Sequence, residues 1–119
     1  MKNYNLKQSY QKNLLKTLNK LISQKSTCTY QDLTKICNIP TPYAIRKVIK
    51  FLEITIEKDI KKNRTLRAAV IVSKIKYNEH LIPSEFFFDI CKKNNIFNGN
   101  LKGEDAVAFH KKLLKDLFR

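Results

Sequence analysis

The stretch that decides the fold reads TYQDLTKICNIPTPYAIRKVIKFL, residues 29–52. Thr29 is a good N-cap for a short helix over 31–37, and Asp32 suits the positive end of that helix. Leu33 and Ile36 supply its buried face. Asn38 tolerates the left-handed conformation that closes a helix, and Pro40 forbids continuation. Thr41-Pro42 then predicts a restart, with Thr as N-cap and Pro at the first helical position. From there Ile45, Val48, Ile49, Leu52, Ile56 and Ile60 keep a helical period to about residue 61. Two helices joined by a Pro-containing turn make a helix-turn-helix pattern.

If those apolar residues face a core, Tyr43, Arg46, Lys47 and Lys50 fall on the opposite side as one stripe. They occupy the first two turns, where a recognition helix contacts DNA. Arg reads a guanine edge or enters a narrow minor groove, Lys suits phosphate as a point charge, and Tyr stacks or bonds to phosphate. Thr41, just before them, joins the candidate set. The charge changes sign along this helix, from Arg46, Lys47 and Lys50 to Glu53, Glu57 and Asp59. The basic half is expected to face a polyanion and the acidic half to lie away from it.

Working outward, residues 6–23 predict a helix with Leu14, Leu15, Leu18, Leu21 and Ile22 inward and Lys7, Lys12, Lys16 and Lys20 outward. No acid precedes Asp32, so Lys16 and Lys20 are candidates for a phosphate backbone. Residues 27–30 suit a short strand. Downstream, Ala68, Ala69, Val70, Ile71 and Val72 read as a buried strand. Lys74, Lys76, Tyr77 and His80 then surround a turn at 77–79, which predicts a basic wing. A helix over 84–93 turns Phe87, Phe88 and Cys91 inward. A last helix runs from 103 or 104 to 118, with Val107, His110 or Phe109, Leu114 and Leu117 as its apolar set. The expected fold is mainly α with a small β wing. It is a winged helix-turn-helix over 1–82 with a C-terminal helical extension over 83–119, in one domain over 1–119.

Composition agrees with a polyanion partner. Lys and Arg total 24 against 10 acids, for a net charge of +14 in 119 residues. A field of that size favours DNA, RNA or an anionic surface. AT-rich codons would explain many lysines but not few acids. Three irregularly spaced cysteines, Cys28, Cys37 and Cys91, match no zinc or thioredoxin pattern and point to reduced thiols. The N-terminal run has no continuous apolar core, so neither a secretory signal nor a membrane span is expected. A cytoplasmic location is expected, with the nucleoid as the site in a bacterium. His80 and His110 are far apart and lack ligand partners at metal spacing. Glu85 and Asp89 read as a solvated edge, and Gly99 and Gly103 are too few for a phosphate loop. No metal, cofactor or catalytic constellation is expected.

The residues Thr29-Tyr30-Gln31-Asp32-Leu33-Thr34, then Pro40, then Ala44-Ile45-Arg46-Lys47-Val48 resemble the helix-turn-helix of alkylguanine-DNA alkyltransferases and alkyltransferase-like proteins. The match covers under a fifth of the chain, and the turn before Arg46 runs longer than is usual there. The resemblance implies a recognition helix in the DNA minor groove, with Arg46 matching the arginine that fills the space of a flipped nucleotide. The family's catalytic Pro-Cys-His-Arg is missing. The corresponding region reads LRAAVIVSK, residues 66–74, without Cys, His or Pro. The resulting expectation is a non-enzymatic DNA-binding protein, a regulator or a DNA-associated factor. Two alternatives stay open: an RNA- or ribosome-associated basic protein, and a protein-interaction module. The latter would use its C-terminal helices for a partner or a homodimer.

Overall fold

Thr29 caps a helix as its position predicts. In the computed structural model, which describes residues 2–119 and side chains from Tyr10 onward, the Thr29 hydroxyl accepts the Asp32 N–H at 3.0 Å. The Asp32 carboxylate takes the Thr29 N–H in return at 3.3 Å. This capping box opens α2 (Tyr30–Ile36). The described chain is mainly helical with small sheets. Before α2 come α1 (Lys2–Ser23) and β1 (Cys28–Thr29). After it come α3 (Ala44–Lys61), a 3₁₀ turn (Arg67–Val70), β2 (Ile71–Val72), β3 (Lys76–Tyr77), β4 (His80–Leu81), α4 (Glu85–Lys93) and α5 (Glu104–Leu117).

Helix ends are closed by asparagine more than by glycine. Asn38, Asn63 and Asn95 follow α2, α3 and α4 with φ of 50, 54 and 61°. In each case the next residue's N–H reaches back to a carbonyl five residues earlier: Ile39 to Thr34, Arg64 to Asp59 and Ile96 to Cys91, at 3.0, 2.9 and 3.0 Å. These are Schellman closures, which need a left-handed residue, and asparagine accepts that conformation more readily than most. Lys25 closes α1 in the same way, at φ 54°.

The start of α3 departs from expectation. Thr41 and Pro42 do not cap it, and their peptide bond is cis. The chain needs two further residues to complete the turn, and Tyr43, at φ 63° and ψ 36°, is the N-cap. The first helical bond runs from the Lys47 N–H to the Tyr43 carbonyl at 3.0 Å. Val48, Leu52 and Ile56 are buried as the period predicts, whereas Ile45 is 40% exposed. In the first turn of α3 it is Ala44, rather than Ile45, that packs against the core. Leu15 of α1 is likewise 38% exposed, while Leu14 and Leu18 are fully buried and Leu21 and Ile22 are half-buried against the core. Lys7 falls outside the residues whose side chains are described.

The second departure lies after α3. The apolar run 68–72 is not a five-residue strand. Its first half coils into the 3₁₀ turn and only Ile71 and Val72 extend, pairing in parallel with Cys28 and Thr29. All five residues are buried, so burial was readable where conformation was not. The carboxylate that anchors the turn is Asp59, expected only to lie away from a polyanion and found fully buried. Its oxygens accept the Arg67 backbone N–H at 3.1 Å, Arg67 Nε at 3.1 Å and Arg67 Nη2 at 2.9 Å. Arg64 Nη2 adds a contact at 3.0 Å.

Beyond β2, Ser73 donates its backbone N–H to the Ile82 carbonyl at 2.8 Å and starts a hairpin completed by β3 and β4. Asn78 and Glu79 form its two-residue turn, both at positive φ, as a tight hairpin requires. Phe87, Phe88 and Cys91 of α4 are fully buried, and Phe86 is half-buried with its ring edge-on to Tyr30 at 5.8 Å. The Tyr30 hydroxyl accepts the Ser84 N–H at 3.0 Å, which ties the start of α2 to the start of α4. A single hydrophobic cluster runs from Leu14 to Val107.

Replacing Asp59 removes the anion that holds two arginines and a backbone amide. Asp59→Ala is expected to cost about 3 kcal/mol, toward the lower end for a broken buried pair because Arg64 stays half in water. Urea unfolding checks this; a loss below about 1 kcal/mol would show that the cluster is not a structural anchor.

Candidate nucleic-acid interface

Helix α3 buries one side and leaves a flank on either hand. On the first flank, Tyr43, Arg46, Lys47 and Lys50 line a hollow of about 420 Å³, closed on its far side by Tyr10 and Gln11 of α1. The sequence stripe is therefore one surface, as its spacing implied. What the spacing did not show is the second wall. Tyr10 lies on α1, and only the packing of α1 beside α3 brings it there. Phe51 and Ile54 complete the lining, and Ile54 is 45% exposed.

The four residues do different things. The Tyr43 side chain is 68% exposed, and the Arg46 guanidinium lies 5.3 Å from its ring centroid, within cation–π range. Lys50 is exposed and carries its charge to the rim. Lys47 is half-buried, and its ammonium donates to the Pro40 carbonyl at 2.9 Å. It fastens the α2–α3 turn to the helix, a local role that a stripe read from sequence does not reveal. Thr41 is exposed within that turn and caps nothing.

The remaining candidates lie elsewhere. Lys16 and Lys20 are exposed on the side of α1 away from the core and do not join the hollow. On the second flank of α3, Lys74 shares a hollow of about 360 Å³ with Ile45 and Ile49. Lys76 is exposed on the hairpin. Tyr77 is half-buried and packs on the core, so its ring is less available than a wing-tip residue's would be.

The two histidines, unrelated in sequence, meet. His110 is fully buried, and its Nε2 lies 2.7 Å from the Ala69 carbonyl. A carbonyl only accepts, so His110 carries its proton on Nε2 and offers Nδ1 as an acceptor. His80 Nε2, 3.0 Å away, is then the donor. His110 is neutral in this chain of bonds. Burial lowers the His110 pKa to about 4, with the neighbouring His80 adding to the depression and the Ala69 bond opposing it. His80 is also lowered, by burial and then by Lys111. The pair joins the hairpin to α5 and the 3₁₀ turn.

Thiol chemistry is disfavoured. Burial pushes the Cys91 thiol up to about 12. Burial, with Asp32 and Cys37 nearby, pushes Cys28 up to about 11. Neither is a thiolate at neutral pH. Among the described residues, no group of three or more His, Cys, Asp or Glu side chains is placed to hold a metal ion. No described helix is long and apolar enough to cross a membrane.

The histidine pair sets a pH dependence. His110 binds a proton more weakly when folded than when unfolded, where its pKa is about 6.5. The unfolded chain therefore holds more protons between those values, and stability falls as pH drops from about 6.5 to about 4. The expected slope from this group is about 1.4 kcal/mol per pH unit. Urea melts across that range should show it, and His110→Gln should flatten it. An unchanged slope in the variant would remove His110 as the cause.

Compared with protein-family models, curated proteins and solved structures, the chain finds no match.

Proposed function

We propose that this chain is a non-enzymatic nucleic-acid-binding protein, DNA favoured over RNA, built as a winged helix-turn-helix with a C-terminal helical extension. In this reading α2 and α3 are the bihelical unit, and the hairpin from β3 to β4 is the wing. The observation that carries it is the convergence of Tyr43, Arg46 and Lys50 on one exposed surface of a chain with net charge +14. The resemblance of residues 29–48 to the alkyltransferase helix-turn-helix points the same way, with Arg46 at the matching position. Raised thiol pKa values at Cys28 and Cys91 support binding without alkyl transfer.

Affinity in this reading comes mainly from phosphate contacts by exposed lysines, with Arg46 and Tyr43 adding contacts to bases. The fold alone does not fix such a function, so the surface residues bear the claim. A mobility-shift series between low and physiological salt is expected to show a loss of affinity of at least about a hundredfold. Arg46→Ala is expected to weaken binding about tenfold and Lys20→Ala less than about twofold. A flat salt response, or equal effects of the two variants, contradicts the reading. Competition between duplex DNA and structured RNA separates the two polyanions.

A further inference from the structure

We propose that the hollow between α1 and α3 seats unpaired bases of a single-stranded nucleic acid, with Arg46 beside the bases and Lys50 on its phosphates. This rests on the nucleic-acid reading above and narrows it to a substrate class. A duplex offers a protein the edges of its bases in the grooves, while the flat faces stay stacked. Reading those edges from the major groove needs a helix that projects into a channel about 12 Å wide. Here the outward stripe of α3 does not project alone. Tyr10 and Gln11 of α1 stand beside it, and the stripe forms one wall of a recess.

The lining of that recess suits base faces. Tyr43 is largely exposed, and Tyr10 and Phe51 are half-buried with part of each ring left open. Ile54 is exposed in the same lining, where an aliphatic side chain offers nothing to a phosphate but does pack on a base. Aromatic platforms flanked by cations are how sequence-tolerant proteins hold single strands. The volume, about 420 Å³, lies in the range of about 300–1,000 Å³ that seats a small ligand. Lys47, held to the Pro40 carbonyl, keeps the turn that carries Tyr43 in place. Arg46 lies 5.3 Å from the Tyr43 ring centroid, so a base that stacks on Tyr43 meets that guanidinium as well.

Fluorescence anisotropy of the full chain tests this, using a labelled DNA strand of about 20 nucleotides and the duplex of the same sequence, at physiological salt. The strand is expected to bind at least about fivefold more tightly than the duplex. Tyr43→Asn removes the ring while keeping a residue that accepts the left-handed backbone at φ 63°. It is expected to cost about tenfold on the strand and less than about twofold on the duplex. Tyr10→Leu, which keeps an apolar contact to the core, should shift the strand in the same direction. Duplex binding equal to or tighter than strand binding overturns the proposal and leaves the nucleic-acid reading standing. An equal loss on both ligands in Tyr43→Asn also overturns it. Failure to bind either ligand removes both readings together.

Discussion

The carboxylate of Asp59 fixes where α3 stops and how the chain returns to the core. Buried charge is tolerated only when paired and hydrogen-bonded, and this one is held by four donors from Arg64 and Arg67. Those two residues lie just past the end of the helix. The α3 closure at Asn63 and the 3₁₀ turn at Arg67 are thus bound to one point. From that turn Val70, Ile71 and Val72 enter the core, β2 meets β1, and Ala69 presents its carbonyl to His110. The N-terminal half, the sheet and α5 therefore all depend on a residue that looks, in sequence, like one acid of a surface stripe.

Much of this was legible in the chain and some was not, for reasons that can be named. Local signals transferred well. Thr29 with Asp32, Asn38 after α2, the period of α3 and the inward Phe87, Phe88 and Cys91 are all set within a few residues of themselves. Non-local partners were invisible. Asp59 needs Arg67, His80 needs His110, and Tyr10 lines the same hollow as Tyr43, and no spacing rule connects them. The α3 start failed differently. Thr41-Pro42 satisfies every preference for a helix opening, yet the turn runs two residues further to Tyr43. The 68–72 run failed because complete burial on all sides removes the alternation that separates a strand from a coil.

The same division applies to the candidate surface. The stripe from Tyr43 to Lys50 follows from helical spacing and survives in the structure as one flank of α3. Its shape does not follow from spacing, because a ridge and a recess have the same sequence. The placement of Tyr10 and Gln11 beside α3 decides between them, and local contacts sort the cations by task. Lys47 serves the turn, Arg46 the Tyr43 ring, and Lys50 the open rim.

The scarcity of acids has a further consequence. One of the ten, Asp59, is spent inside the protein on two arginines, and the other ion pairs of the described residues are exposed ones such as Asp89 with Lys93 and Glu85 with Lys102. Among the described residues, Lys93 and Lys102 are the lysines that pair with an acid, and the other exposed lysines add like charge to the surface. Screening relieves that repulsion, so added salt is expected to tighten the fold. A polyanion that bound this surface would supply the missing counter-charge itself, which would make ligand and fold mutually stabilising and couple the melting temperature to occupancy.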